Sequence, residues 1–259
     1  MKRFLLANVK LLYGYVISIP AWVLPYPARL HRPALRFLIS SLAFFICLAG
    51  IAQEKKSTPV TEDYKKVLRE RSAKIVNTIG LTDSGIYQVT VDQLLLQYLA
   101  VNSIHDQYKA AVAELKSKSL TAETTETAKK ALDEKKSSDL SQQHKLFLAQ
   151  LKKNLTLDQI EQIKDGMTYR VFPITWAAYQ DMLPNLKPEE KEQIFEWLKE
   201  ARELAMDEGS SDDKHKVFGK YKGKINNYLS KAGYDMKKEG EEWQKRIKEK
   251  QQQKKETLQ

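Results

Sequence analysis

The sequence predicts an all-α fold: a single-domain helical bundle with a long antiparallel helical hairpin and a cluster of shorter C-terminal helices. Three observations carry this. Apolar residues recur at steps of three and four through most of the chain after residue 60. Helix-entry phrases recur at Leu81-Thr82-Asp83, Leu155-Thr156-Leu157-Asp158 and Leu186-Lys187-Pro188-Glu189, each placing an apolar residue before a helix start with acids in its first turn. No segment alternates as a half-buried strand would; the β-branched run Val89-Thr90-Val91 is short and lies inside a helical pattern.

Before the helices comes a leader. Arg36 precedes an apolar run that exits through the small residues Gly50 and Ala52 into polar Gln53-Glu54-Lys55-Lys56. This is the pattern of a secretory signal peptide over residues 36–52, cleaved near Ala52, and it places the mature protein in the periplasm or outside the cell. The run is shorter than the roughly 20 residues a membrane span needs. Cys47 follows Phe45-Ile46, where a lipobox needs a small residue, so lipidation is rejected. Residues 1–35 read as an extension from a start set too far upstream. Their second apolar stretch, Leu11 to Leu24 broken by Pro20, leaves a membrane hairpin with Arg29, Arg32 and Arg36 inside as the other reading. Membrane contact is expected through the leader alone.

The leader also distorts the charge. The whole chain carries +10, but residues 1–52 hold six Lys/Arg and no acid, leaving 37 bases against 33 acids, or +4. That is no nucleic-acid footprint. The single cysteine lies in the leader, so the mature chain has neither disulfide nor thiol chemistry.

Gln53–Val60 is a polar linker, residues 61–236 a helical domain, and 237–259 a charged, solvated helical tail. Thr61 caps a helix from Glu62 to about Ile79, ended by Gly80. Thr82 caps a second, long helix. Its residues Tyr87, Val91, Leu94, Tyr98, Val101, His105, Tyr108, Val112 and Leu115 form a coiled-coil seam. A third helix, about Thr121 to Asn154, carries Leu140, His144, Phe147 and Leu151 in the same rhythm. Its first half is polar and reads as projecting into water. Long consecutive helices predict the hairpin. A short helix to Lys164 follows, then one started by Pro173 over Ile174–Leu183 and ended by Pro184. Pro188 opens a strong amphipathic helix through Ala205. Gly209-Ser210-Ser211-Asp212 reads as a loop, and a last apolar stripe from Val217 to Leu229 closes at Gly233.

Chemistry-bearing residues concentrate late. Residues 169–243 hold eleven aromatics against five in residues 53–168. Flat aromatic faces cover the C–H side of a sugar ring, while carboxylates, amides and cationic groups read its hydroxyls. Tyr169, Trp176 and Tyr179 are the candidate platforms. Arg170, Arg202, Asp207, Lys220, Asn226 and Asn227 are the candidate polar partners, and Asp181 lies near them. Core packing is the stronger explanation for Trp197, Phe218, Tyr221 and Tyr228, which fall on apolar stripes. Asn226-Asn227 is unusual within a helix, because Asn competes with the backbone there. Gly219-Lys220-Tyr221-Lys222-Gly223-Lys224 has the composition of a phosphate loop but neither its spacing nor a preceding strand. His105 and His144 approach each other if the long helices pair. His215, read as a loop residue, is the one candidate for acid–base work, without an evident nucleophile. No cofactor or metal site is expected: there is no H-E-x-x-H and no cluster of ligands.

Three runs carry a resemblance: Leu157-Asp158-Gln159 through Tyr169; Glu200-Ala201-Arg202-Glu203 through Gly209-Ser210-Ser211; and Lys214-His215 through Gly233-Tyr234-Asp235. On them, residues from about Tyr64 to Tyr234 resemble a family of secreted bacterial proteins of unknown function that carries a sugar-binding label. That family occurs in Gram-negative bacteria that degrade polysaccharides, and it supplies no catalytic residues to transfer. The resemblance implies a carbohydrate partner in a glycan-utilisation setting. The residues leave two other functions open: a periplasmic chaperone or adaptor holding a protein partner along the hairpin, and a lyase or hydrolase acting on uronate-rich chains.

Overall fold

A computed structural model describes residues 61–257. The segment expected to be a signal peptide, the extension before it and the linker lie outside the described residues. Within them are eight α-helices, one short 3₁₀ turn and no strand. Helix α1 (Glu62–Val76) starts on the Thr61 hydroxyl and runs into the 3₁₀ turn Asn77–Ile79, which Gly80 ends with φ 68°. The long pair follows as α2 (Ser84–Ser117) and α3 (Ala122–Leu151). The cap of α2 is Asp83 and not Thr82: its carboxylate accepts the Ile86 N–H at 2.8 Å, and a carboxylate does this at least as well as a hydroxyl.

The two long helices run antiparallel. Gln143 donates to Gln97 at 2.8 Å near the base, and Tyr108 meets Asp133 farther out. Seam residues Val91, Leu94, Tyr98 and Val101 are buried against the rest of the bundle, whereas beyond His105 only Leu115 of α2 is enclosed.

The shorter helices are α4 (Leu157–Met167), α5 (Val171–Met182), α6 (Pro188–Met206), α7 (Ser211–Lys231) and α8 (Met236–Thr257). Thr156 and Gln159 form a full capping box at α4. Helix α5 begins two residues before Pro173, which therefore sits in its first turn, where a missing N–H costs nothing. The expected loop 209–212 is shorter than read, because Ser210 caps α7 and Ser211 is already helical. The charged tail is helical from Met236 and docked. Trp243 donates to Asp181 at 2.7 Å, Arg246 donates to the Asp181 and Met182 carbonyls, and Lys250 pairs with Asp181. One carboxylate and the open C-terminal carbonyls of α5 thus hold a helix whose own face is nearly all polar.

Two apolar cores result. Leu68, Val76, Leu94, Phe147, Leu151, Ile163 and Met167 build the first from α1–α4. Phe172, Tyr179, Ile194, Leu198, Phe218, Ile225 and Leu229 build the second from α5–α7. Helix α6 belongs to both, because its last residue, Met206, sits in the first core.

Close approach of α1 and α4 depends on Gly166. A Cβ there would lie 2.6 Å from Ile75 Cγ2. Gly166→Ala is expected to destabilise the fold by about 1–3 kcal/mol in chemical denaturation. Gly219→Ala and Gly223→Ala, mid-helix with nothing within 4 Å of the added atom, should instead stabilise by about 0.5–1 kcal/mol each.

Candidate functional site

The corner between α4 and α5 is the least ordinary backbone among the described residues. Helix α4 ends in a doubly bonded cap: Arg170 N–H reaches the Asp165 carbonyl at 2.7 Å and Tyr169 N–H the Gly166 carbonyl at 3.3 Å. This is the Schellman arrangement, whose left-handed residue is ordinarily glycine. The chain uses it conventionally at the end of α7, where Gly233 takes φ 101° and Tyr234 N–H bonds the Leu229 carbonyl. At the α4 end the slot holds Tyr169 at φ 58°, and Arg170 follows at φ 56°. Each non-glycine residue in that region costs about 1–2 kcal/mol. The surrounding bonds hold both there, and such over-determined strain concentrates at functional sites.

The corner walls a cleft of about 390 Å³, of the size that takes a small ligand. Arg71, Lys74 and Ile75 line it from α1, Tyr98 from α2, Gln162 and Asp165 from α4, Tyr169 and Arg170 from the corner, and Lys214 from α7. Tyr169 is 41 % exposed, and the His215 imidazole stacks on it at 5.5 Å with an 18° tilt. His215 lies in the helical start of α7, not in a loop, which is why its ring is fixed against the corner. Lys214 is 5 % exposed. Its ammonium donates to the Ala205 and Met206 carbonyls at 2.8 and 3.2 Å, closing the C-terminus of α6. Burial pushes Lys214 down to about 8 against the pull of Asp207 and Glu208.

Behind the cleft is a network of charges. Arg202 is 1 % exposed. Its guanidinium bonds Asp165 at 2.6 Å, Glu203 at 3.3 Å and Glu161, and lies over the Phe172 ring at 4.9 Å. Lys164 bridges Glu161 and Glu203 at 3.0 Å each. His144, from α3, donates to Asp207 at 3.0 Å and faces Glu203 at 3.3 Å. His105, from α2, bonds the Asp207 carbonyl at 2.8 Å. The two histidines of the long helices therefore converge, as pairing of those helices predicts, and they converge on Asp207. Hydrogen bonds that His144 donates to Asp207 and then Glu203 raise it to about 9, over the opposing effect of burial. Burial would raise Glu203, but His144, Lys164 and Arg202 together hold it down to about 2.

The sequence-predicted residues thus separate. Tyr169 and Arg170 stand in the cleft. Arg202 and Asp207 lie in the network behind it and do not line the cleft; carboxylates take both terminal nitrogens of Arg202, while its Nε is buried with no hydrogen-bond partner among the described residues. Tyr179 is buried, so it is no platform; its hydroxyl donates to Asn226 at 2.8 Å, and burial pushes it up to about 12. Asn226 is accounted for by that bond. Trp176 is half-buried with its ring edge-on to Phe195 at 5.5 Å, as part of the second core. Lys220 and Asn227 are exposed on α7 and line no cleft with the others. Sequence reading missed Arg71, Lys74, Tyr98 and Lys214 as site residues. Tyr98 sits on the seam and reads as core. The readable signal was a helix end at Thr168-Tyr169-Arg170 with no glycine to turn it.

The described residues define an all-α, single-domain bundle with a cationic, tyrosine-lined cleft walled by α1, α2, α4, the α4–α5 corner and α7. The chain belongs to the family of proteins of unknown function DUF3826, whose model matches residues 65–249. The match runs from α1 into α8, so the docked tail is part of the family domain. No curated protein matches the chain. Among the described residues no helix is long and apolar enough to cross a membrane, and no group of three or more His, Cys, Asp or Glu side chains is placed to hold a metal ion.

Arg202→Met should cost about 3 kcal/mol or more in denaturant titration, since it strands Asp165 without its cation. The exposed pair Lys135–Asp139 should lose under about 1 kcal/mol on Lys135→Met. The network also sets a pH window. With its folded pKa raised, His144 contributes fully below its ordinary value of 6.5, and this is lost as pH rises through about 9. With its folded pKa lowered, Glu203 contributes fully above 4.5, and this is lost as pH falls toward about 2. The stability gap between wild type and His144→Gln should be widest between those values of 4.5 and 6.5 and shrink toward pH 9. A gap independent of pH would show the ring contributing by shape alone.

Proposed function

We propose that the protein binds a saccharide unit of a glycan in the cleft beside Tyr169. The observation that carries this reading is the tyrosine in the glycine slot of the α4 cap. A left-handed C-cap filled by glycine would serve the fold better, so the retained ring has a use outside the fold. Its use follows from its setting. One face is backed by His215, which fixes its orientation before any ligand arrives. The ring remains 41 % open to solvent, beside the donors of Arg170, Arg71 and Gln162. A flat apolar face beside a set of fixed donors suits a pyranose ring, apolar on its C–H side and rimmed by hydroxyls. A leader over residues 36–52 would bring the domain to polymeric glycans outside the cytoplasm.

Tyr169→Gly separates a binding ring from a structural one. Unfolding temperature should stay level or rise, because glycine relieves about 1 kcal/mol of strain. Affinity for the bound oligosaccharide, measured by titration calorimetry after a glycan-array screen, should fall at least tenfold. A variant that binds like wild type would remove the ring from the site. A screen of plant and algal oligosaccharides with no binder at all would remove the reading.

A further inference from the structure

We infer that the sugar taken by this cleft is anionic, bearing a carboxylate or sulfate that is seated among Arg71, Arg170 and Lys214. This rests on the saccharide reading above and names the class of ligand.

Charge is the first ground. Four of the cleft's lining side chains are cations, Arg71, Lys74, Arg170 and Lys214, and they come from three separate elements. The single lining carboxylate, Asp165, is already bonded to Arg202 at 2.6 Å. Arg71, Lys74 and Arg170 form no ion pair among the described residues, although seventeen such pairs are made elsewhere, many by surface lysines with acids a helical turn away. Cations gathered around one concavity repel one another, and an anion of matching size relieves that repulsion.

Unused donors are the second ground. Tyr98 is 8 % exposed and lines the cleft, yet its hydroxyl has no hydrogen-bond partner among the described residues. Burial raises its pKa, which keeps the proton on the oxygen as a donor. The Lys214 ammonium has three N–H groups and spends two on the carbonyls ending α6. The third is left beside the cleft. The Tyr98 hydroxyl keeps access to solvent at the cleft, where a ligand oxygen can reach it. Arg71 lies over the Tyr98 ring at 5.8 Å, so a ligand oxygen at that hydroxyl is also near a guanidinium. Gln162 supplies a neutral amide at the same wall for hydroxyl groups. Among these groups stacking on Tyr169 falls to the sugar ring, and the cations take its charge.

The test uses the full chain and matched oligomer pairs that differ only in charge: galacturonate against galactose, glucuronate against glucose, mannuronate against mannose, each acid also as its methyl ester, plus one sulfated galactan. Calorimetric affinities are read at 20 and 200 mM salt. One acid or sulfated oligomer should bind at least tenfold tighter than its neutral counterpart, with an advantage that shrinks at the higher salt. Arg71→Gln, at an exposed position on α1, should cut that advantage at least fivefold, lowering affinity for the charged member of a pair more than for its neutral counterpart. Lys214→Met should do the same, provided its circular dichroism shows a folded chain. Preference for the sulfated oligomer assigns the charge to sulfate, and preference for a uronate assigns it to carboxylate. Equal affinity for charged and neutral members of every pair overturns the inference and leaves the saccharide reading standing. Absence of binding by every oligomer overturns the saccharide reading itself.

Discussion

The structure hangs on one guanidinium. Arg202 projects from the helix that both cores share and takes hold of Asp165 and Glu161 of α4 while lying on Phe172 of α5. Without it, Asp165 would face α6 with no cation, and Lys164 alone would be left to bridge Glu161 and Glu203. The arrangement is not a cheap source of stability, since a buried ion network returns little more than its desolvation cost. What it supplies is position. Asp165 is the third residue from the end of α4, and its carbonyl is the one that Arg170 N–H caps. Fixing Asp165 therefore fixes the corner, and the corner carries Tyr169 into the cleft.

The remaining charges extend the same clamp sideways. His144 and His105 bring the base of the long hairpin to Asp207, where α6 ends. Lys214 closes the same helix end from the other side. One helix terminus is thus the meeting point of α2, α3 and α7, and the cleft opens beside it. Gly209 fits this crowding: a Cβ there would lie 3.1 Å from the His105 ring. The apolar cores make the bundle, while polar contacts decide how its two halves are set.

Most of the fold was legible in the chain. The seam from Tyr87 to Leu115 gave α2, the three entry phrases gave α2, α4 and α6, and Pro188 and Gly233 marked one start and one end. These signals are local, each carried by spacing or by one residue's backbone preference. The tail was harder to read. Its composition is that of a solvated helix, and the contact that docks it lies 62 residues away between Trp243 and Asp181. The site was half legible for the same reason. Tyr169 and Arg170 were identified because aromatic and cationic types stand together late in the chain. Arg202 and Asp207 were identified by type but assigned the wrong duty, since sequence does not say whether a charge meets solvent or another charge. Tyr98 could not have been found: on a seam, a buried tyrosine with a satisfied hydroxyl and one without look the same.

The outer arm of the hairpin has a consequence of its own. Helix α2 has 34 residues, about 50 Å at 1.5 Å per residue, yet between Asn102 and Leu146 the pair of helices encloses only Leu115. Outward of His105 and His144 that arm is held by contacts between its own two helices, such as Tyr108 with Asp133 and Lys136. Removing or adding a heptad from both helices together would keep every remaining partner in register. The reach of this arm is therefore a free evolutionary variable, adjustable in steps of about 10 Å without disturbing the half of the molecule that holds the cleft.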